Sequence, residues 1–217
     1  MDKVAVITGD IIGSTAIRRS KQKDKFPLLI KECLNEVRKT EKKTIKQPFE
    51  IFRGDSFQGV VTDVKRSVVI ALKIKAGLIM RSGEIKRGVL DARISIGIGR
   101  INYQAKAIKE SDGVAFHLSG KQLDEMKVKN DRLSITSDNN KINQHLELLS
   151  VLLGLITKRW TAQQAEVMYY LLNDKTQSAI AELLDVKQPS VFQRAFLGHK
   201  NELLKALDYF QLLSDSI

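Results

Sequence analysis

Residues 4–15, Val-Ala-Val-Ile-Thr-Gly-Asp-Ile-Ile-Gly-Ser-Thr, constrain this chain more than any other stretch. The apolar run over residues 4–7 predicts a strand buried on both faces, and it opens directly into an acid, a glycine and two hydroxyls. Such a strand delivers a carboxylate to a loop. Asp10 falls at the strand's carboxyl end, where Gly13, Ser14 and Thr15 can turn backbone N–H groups and hydroxyls toward an anion.

The following elements read as an α+β sheet. Phe26, Leu29, Ile30, Cys33, Leu34 and Val37 recur at helical spacing. Two short strands, residues 49–53 and 56–62, join tightly through Gly54-Asp55, a pair that also serves as a plain hairpin turn. A second helix over residues 64–82 carries Val68, Ala71, Leu72, Ala76 and Ile79 on one side, with Lys65, Arg66, Lys73 and Lys75 elsewhere. Residues 93–99 alternate isoleucine with serine and glycine, so one face of that strand is stripped for the close approach of a backbone, a helix or a flat ligand. A third helix, residues 112–127, and a strand over residues 131–137 complete the order β-α-β-β-α-β-α-β. That order fits an antiparallel, ferredoxin-like sheet with helices on one face, forming a first domain over residues 1–137.

Asp138-Asn139-Asn140 is polar and turn-forming and predicts a linker to an all-α domain over residues 138–217. Within it, residues 176–184 and 188–196 make two helices around a turn at Asp185-Val186-Lys187, with small Ala181 at the crossing and Pro189 in a first turn. This is a helix-turn-helix pattern. Gln188, Ser190, Gln193 and Arg194 would then reach base edges of DNA, and Lys187 and Lys200 would contact phosphates. An all-helical dimerisation module fits the same pattern.

Charge is uneven. The 36 basic and 25 acidic residues divide at Ser137 into 28 and 16 before it and 8 and 9 after it. Polyanions are drawn first to the N-terminal part, unless the excess is simply a solvated cationic face. Residues 186–200 nevertheless carry three basic groups and no acid. The lone cysteine, Cys33, excludes an internal disulfide, and with no secretory signal before the first strand the expected compartment is the reducing cytoplasm. The longest apolar stretch, residues 146–156, falls short of the roughly 20 residues of a membrane span.

Asp10 and Asp55 would meet at the centre of such a sheet. Two carboxylates at one spot repel and need a cation between them, and Mg²⁺ suits a site of one or two carboxylates, a carbonyl and phosphate oxygens.

Gly9-Asp10-Ile11-Ile12-Gly13-Ser14-Thr15 resembles the metal-binding opening of class III nucleotidyl cyclases, and Arg53-Gly54-Asp55-Ser56-Phe57 resembles their second metal aspartate in its hairpin. The resemblance spans residues 4–127 and implies that Asp10, Asp55 and the Ile11 carbonyl hold metal. It further implies that Gly13, Ser14 and Thr15 cradle phosphate, with Arg53, Gly54 and Glu110 beside the nucleotide. His117 and Lys121 stand where that family places an asparagine and an arginine that act across a homodimer, and Ile51 stands where it reads the base with lysine. Lysine cannot reproduce the forked contact of arginine. The implied domain therefore binds nucleotide without cyclase turnover, the alternative being an enzyme that converts nucleotide with His117 or Lys121. Taken whole, with its Asp112-Gly113-Val114-Ala115-Phe116 segment and terminal helices, the chain resembles the SatD family of bacterial proteins. A DNA-binding transcriptional regulator is the expectation that follows.

Overall fold

The computed structural model describes residues 3–15, 25–45, 47–52, 54–85, 89–103, 108 and 111–217. At its centre is β1 (Val4–Ile11), whose Ala5, Val6 and Ile7 are fully buried. It pairs antiparallel with β3 (Ser56–Val61) on one side and β4 (Ala92–Gly99) on the other. β2 (Glu50–Phe52) extends the sheet through its hairpin with β3, and β7 (Leu133–Ser137) closes the far edge in the order β2-β3-β1-β4-β7. With α1 (Lys25–Thr40) and α2 (Ser67–Met80), the first four of these strands have the ferredoxin-like order expected. The stripe read on α1, Phe26 to Val37, is its buried side.

Two expectations about the sheet are corrected. β7 runs parallel to β4, so the sheet is mixed, because the intervening α3 (Val114–Lys129) forms a crossover rather than a hairpin. Moreover, α3 lies on the face opposite α1 and α2, so helices cover both faces. The stripped side of β4 makes room for it. A Cβ on Gly97 would stand 2.3 Å from Ala115 O and 2.5 Å from Ser119 N, so only glycine admits this backbone. The helix expected from residue 112 begins at Val114, since Asp112–Gly113 form β6 against β5 (Ile101–Tyr103).

The predicted linker is a corner, not a tether. Asp138 pairs with Lys3 at 2.6 Å, and Asn139 accepts from Lys141 N–H to cap α4 (Asn140–Lys158). The later helices also share the core of the sheet. One apolar cluster runs from Ala5 through Leu146, Trp160 and Met168 to Phe210. The reason lies in α2, apolar nearly all round and buried from Ser67 to Ile79. With the sheet beneath it, its far side needs another cover, which α5 (Ala162–Leu172) supplies. Lys73 and Lys75, expected off the apolar face, are buried by the same packing, each 2.6 Å from a carboxylate, Glu41 and Asp91 respectively. A smaller cluster, Val167, Ile180, Ala181, Val191 and Ala195, joins α5 to α6 (Gln177–Leu183) and α7 (Gln188–Leu197). α8 (Lys200–Ser214) returns its Leu203, Leu207 and Phe210 to the main core. Trp160 Nε1 donates to Gly198 O at 3.0 Å and pins the end of α7.

Candidate functional site

Register places the acids. Asp10, the penultimate residue of β1, lies opposite Ser56 on β3 and Arg93 on β4. Ser56 Oγ donates to Asp10 Oδ1 at 3.0 Å, and Arg93 Nη1 stands 4.0 Å from Oδ2. Asp55 precedes Ser56 in the hairpin, where Gly54 takes a φ of 76°. Ile11 N–H donates to Asp55 C=O at 2.9 Å, fastening the end of β1 to the hairpin, and Ser14 Oγ donates to Asp55 Oδ2 at 2.7 Å. Gly13 takes a φ of 70° at the turn between them, a region that favours glycine. Asp10, Ile11, Gly13, Ser14, Gly54 and Asp55 are therefore gathered at one end of the sheet. Thr15 is exposed beside them. Arg53 and Glu110 lie outside the described residues.

Beneath the loop is a buried support that the sequence reading missed. Ile12 N–H donates to Asp91 C=O at 2.8 Å. The Asp91 carboxylate is held by Lys75 Nζ at 2.6 Å, and Lys75 also donates to Ala92 O at 2.8 Å. Burial pushes the Lys75 amine below its ordinary range, while Asp91 pulls the other way. The signal available in the sequence was Asp91 immediately ahead of an alternating strand. One step inside the Asp10 row, each strand contributes a polar residue in register: Glu50, Gln58, Thr8, Ser95 and Ser134. Gln58 donates to Thr8 and Thr8 to Ser119 of α3, both at 2.9 Å.

The other expected residues lie elsewhere. His117 and Lys121 project from α3, about three-quarters exposed, with Asp112 at 2.9 Å from His117 and Glu125 at 3.9 Å from Lys121. The first turns of α3 cover Gly97, which is level with Val6, whereas Asp10 lies four residues farther along β1, about 13 Å. One chain does not bring these groups to the acids. On and around α7, Lys187, Gln188 and Gln193 are exposed and Ser190, Arg194 and, at the start of α8, Lys200 half-buried. Gln188 donates to Gln177 of α6 at 2.9 Å. Phe192 and Phe196, 57 % and 68 % exposed, stack on the same helix with ring centres 6.4 Å apart.

Against known families, the model of the SatD family matches residues 3–198. The chain belongs to the SatD family. Among curated proteins none matches it. In structure, this SatD-family chain is similar to the guanylyl cyclase Cya2, with 13 % identity and a TM-score of 0.43 over 57 % of this chain and 70 % of that one. It is also similar to a bacterial light-regulated adenylyl cyclase, with 12 % identity and a TM-score of 0.46 over 62 % of this chain and 43 % of that one. For the adenylyl cyclase CyaB from P. aeruginosa the values are 19 % and 0.37 over 57 % and 71 %.

For the SatD-family site itself, the donor set decides what metal fits. Among the described residues no three His, Cys, Asp or Glu side chains gather. Two carboxylates at a strand end, with hydroxyls and backbone amides at hand, suit a hard oxygen-seeking cation that takes its remaining ligands from water or phosphate. They do not suit a closed structural zinc site. Among the described residues no helix is long and apolar enough to cross a membrane.

Proposed function

We propose that the end of the sheet carrying Asp10 and Asp55 binds a nucleotide or another polyphosphate through a divalent cation, and that this binding sets the state of a regulatory protein. One observation carries the reading: the Ile11 N–H to Asp55 C=O bond at 2.9 Å joins the two acid-bearing segments within a single chain. Asp10 and Asp55, with the Ile11 carbonyl, would hold the cation, whose chemistry is to neutralise phosphate charge. Gly13, Ser14 and Thr15 would meet the phosphate oxygens. Lys121 cannot reproduce the forked contact of an arginine, which supports binding over turnover.

Thermal unfolding of the full chain with Mg²⁺ and each common nucleoside triphosphate tests this. A ligand at a hundred times its Kd adds about 2.7 kcal/mol, a readily measured rise. The rise should vanish in Asp55→Ala. No rise with any triphosphate, or an equal one in the variant, overturns the reading, and product formed with Mn²⁺ would replace it with an enzyme.

A second reading concerns α7. α6 and α7 meet around a left-handed Asp185, φ 51°, and share a small core with α5, an arrangement that favours a helix offered to duplex DNA. Lys187 and Lys200 would take phosphates, Gln193 and Arg194 base edges, and Phe192 and Phe196 the methyls of thymine. Fluorescence anisotropy with a labelled duplex should then show affinity falling steeply with salt and weakening in Lys187→Ala. Binding indifferent to both removes this reading.

A further inference from the structure

α4 is apolar on two sides. Leu146, Leu149 and Leu153 face the core, while Leu148, Val151, Leu152 and Leu155 project outward, 58 %, 52 %, 46 % and 54 % exposed. Their i, i+3, i+4, i+7 spacing puts them in one seam. Single exposed apolar residues are ordinary, whereas a contiguous row marks a surface that something covers.

The neighbouring sheet edge narrows what that can be. β7 is an edge strand, and three of its outward groups are already used by α4. Ile135 N–H donates to Ser150 Oγ at 2.9 Å, Ser137 N–H donates to Asn143 Oδ1 at 2.9 Å, and Asn143 Nδ2 returns a bond to Ser137 O at 2.9 Å. A partner cannot add a strand here, since α4 itself has closed the edge. It has to be a helix laid along the seam.

Charge then names the helix. Glu147 and Lys158 stand on the same flank of the seam, both lining the groove between α4 and α3. In a parallel pairing with a second copy, every residue lies level with itself, setting Arg159, one turn past Leu155, against its own copy and leaving Glu147 about 16 Å along the axis from Lys158. In an antiparallel pairing the order reverses. Leu148 then lies level with Leu155, Val151 with Leu152, and Glu147 within two residues of Lys158, about 3 Å along the axis, each match occurring twice by symmetry. Same-flank residues are the ones that meet across antiparallel helices, so both acid–base pairs close together.

We propose that the chain forms a two-fold dimer through α4, packed antiparallel against α4 of a second copy. The seam supplies the apolar contact and the Glu147–Lys158 pairs fix its direction. This stands independently of any nucleotide.

Sedimentation velocity of the full chain over a concentration series is the test. The parent should sediment as a dimer. Glu147→Lys or Lys158→Glu alone turns two attractive pairs repulsive and should weaken the dimer about tenfold, while the double exchange restores it. Both positions are exposed, and an unchanged far-ultraviolet circular dichroism spectrum checks that the variants fold. Val151→Cys, near the axis, should cross-link under mild oxidation. Gln144→Cys should not, since its two copies would stand about 22 Å apart. A parent that stays monomeric at about 100 µM, a dimer indifferent to single reversals, or singles not rescued by the double overturns the proposal. So does cross-linking through Gln144→Cys, which reports parallel helices.

Discussion

Lys73 and Lys75 lie two residues apart on one helix, both buried, each 2.6 Å from a carboxylate, and they serve different parts of the molecule. Two residues along a helix is a turn of about 200°, so the amines leave α2 on opposite flanks. Lys73 meets Glu41, just past the end of α1, which also takes Arg66. That joint ties one helix to the next. Lys75 meets Asp91, whose backbone carbonyl in turn takes Ile12 N–H from the loop after β1. Identical ion-pair chemistry thus locks a core joint on one flank, and on the other it sets the shape of the loop that joins the two acids. Proximity along the chain does not predict shared purpose, whereas the partner on the far side of the pair does.

Removing one partner from each pair gives the largest expected effects and separates them. Asp91→Ala leaves the Lys75 charge buried without its carboxylate, which should lower unfolding free energy by about 3–5 kcal/mol in urea titrations. It should also abolish the nucleotide-dependent stabilisation at temperatures where the variant is still folded. Lys73→Met is milder, because Glu41 keeps Arg66, and should cost about 1–3 kcal/mol. Its response to Mg²⁺ and triphosphate should match the parent's. Equal loss of ligand response in the two variants would erase the distinction between joint and site support.

The same contrast marks where the sequence was legible. Asp10 and Asp55 could be paired on paper because one closes a strand and the other sits in a hairpin within a β-α-β-β order that leaves few arrangements. Neighbouring register then follows from the pleat. Gly97 and Gly99 announced a close neighbour but not which one, and the helix that fills the space came from later in the chain, on the face expected to be open. Lys73 and Lys75 misled because charge is normally a mark of solvent. The corrective signal was present in α2, where valine, isoleucine, leucine and alanine surround the axis and leave no polar side for a lysine to occupy. That same feature, read for what it demands, requires a cover over α2, which α5 supplies from the C-terminal helices. His117 and Lys121 could be named from the resemblance, but only three-dimensional register shows how far that turn of helix lies from Asp10.

Titration offers the finest separation of the two flanks and the smallest effect. Burial pushes the Glu41 carboxyl up, but hydrogen bonds from Arg66 and Lys73 outweigh it and hold the group below its ordinary value of 4.5. Between its lowered native pKa and 4.5, the unfolded chain takes up the proton first, so stability present at neutral pH is lost as pH falls through that window. For Lys75 the direction is set by burial, which lowers the amine's pKa from 10.5 against the pull of Asp91. Between that lowered value and 10.5, the native amine releases its proton while the unfolded one keeps it, so stability rises with pH there. One flank of α2 therefore shapes the acid limb of the stability profile and the other the alkaline limb. Glu41→Gln should flatten the first and leave the second, Lys75→Met the reverse, as read from urea midpoints across pH. Other carboxylates also titrate on the acid side, so the change there is one of slope. An acid limb that keeps its slope in Glu41→Gln would mean the joint on the Lys73 flank contributes nothing that protonation can remove.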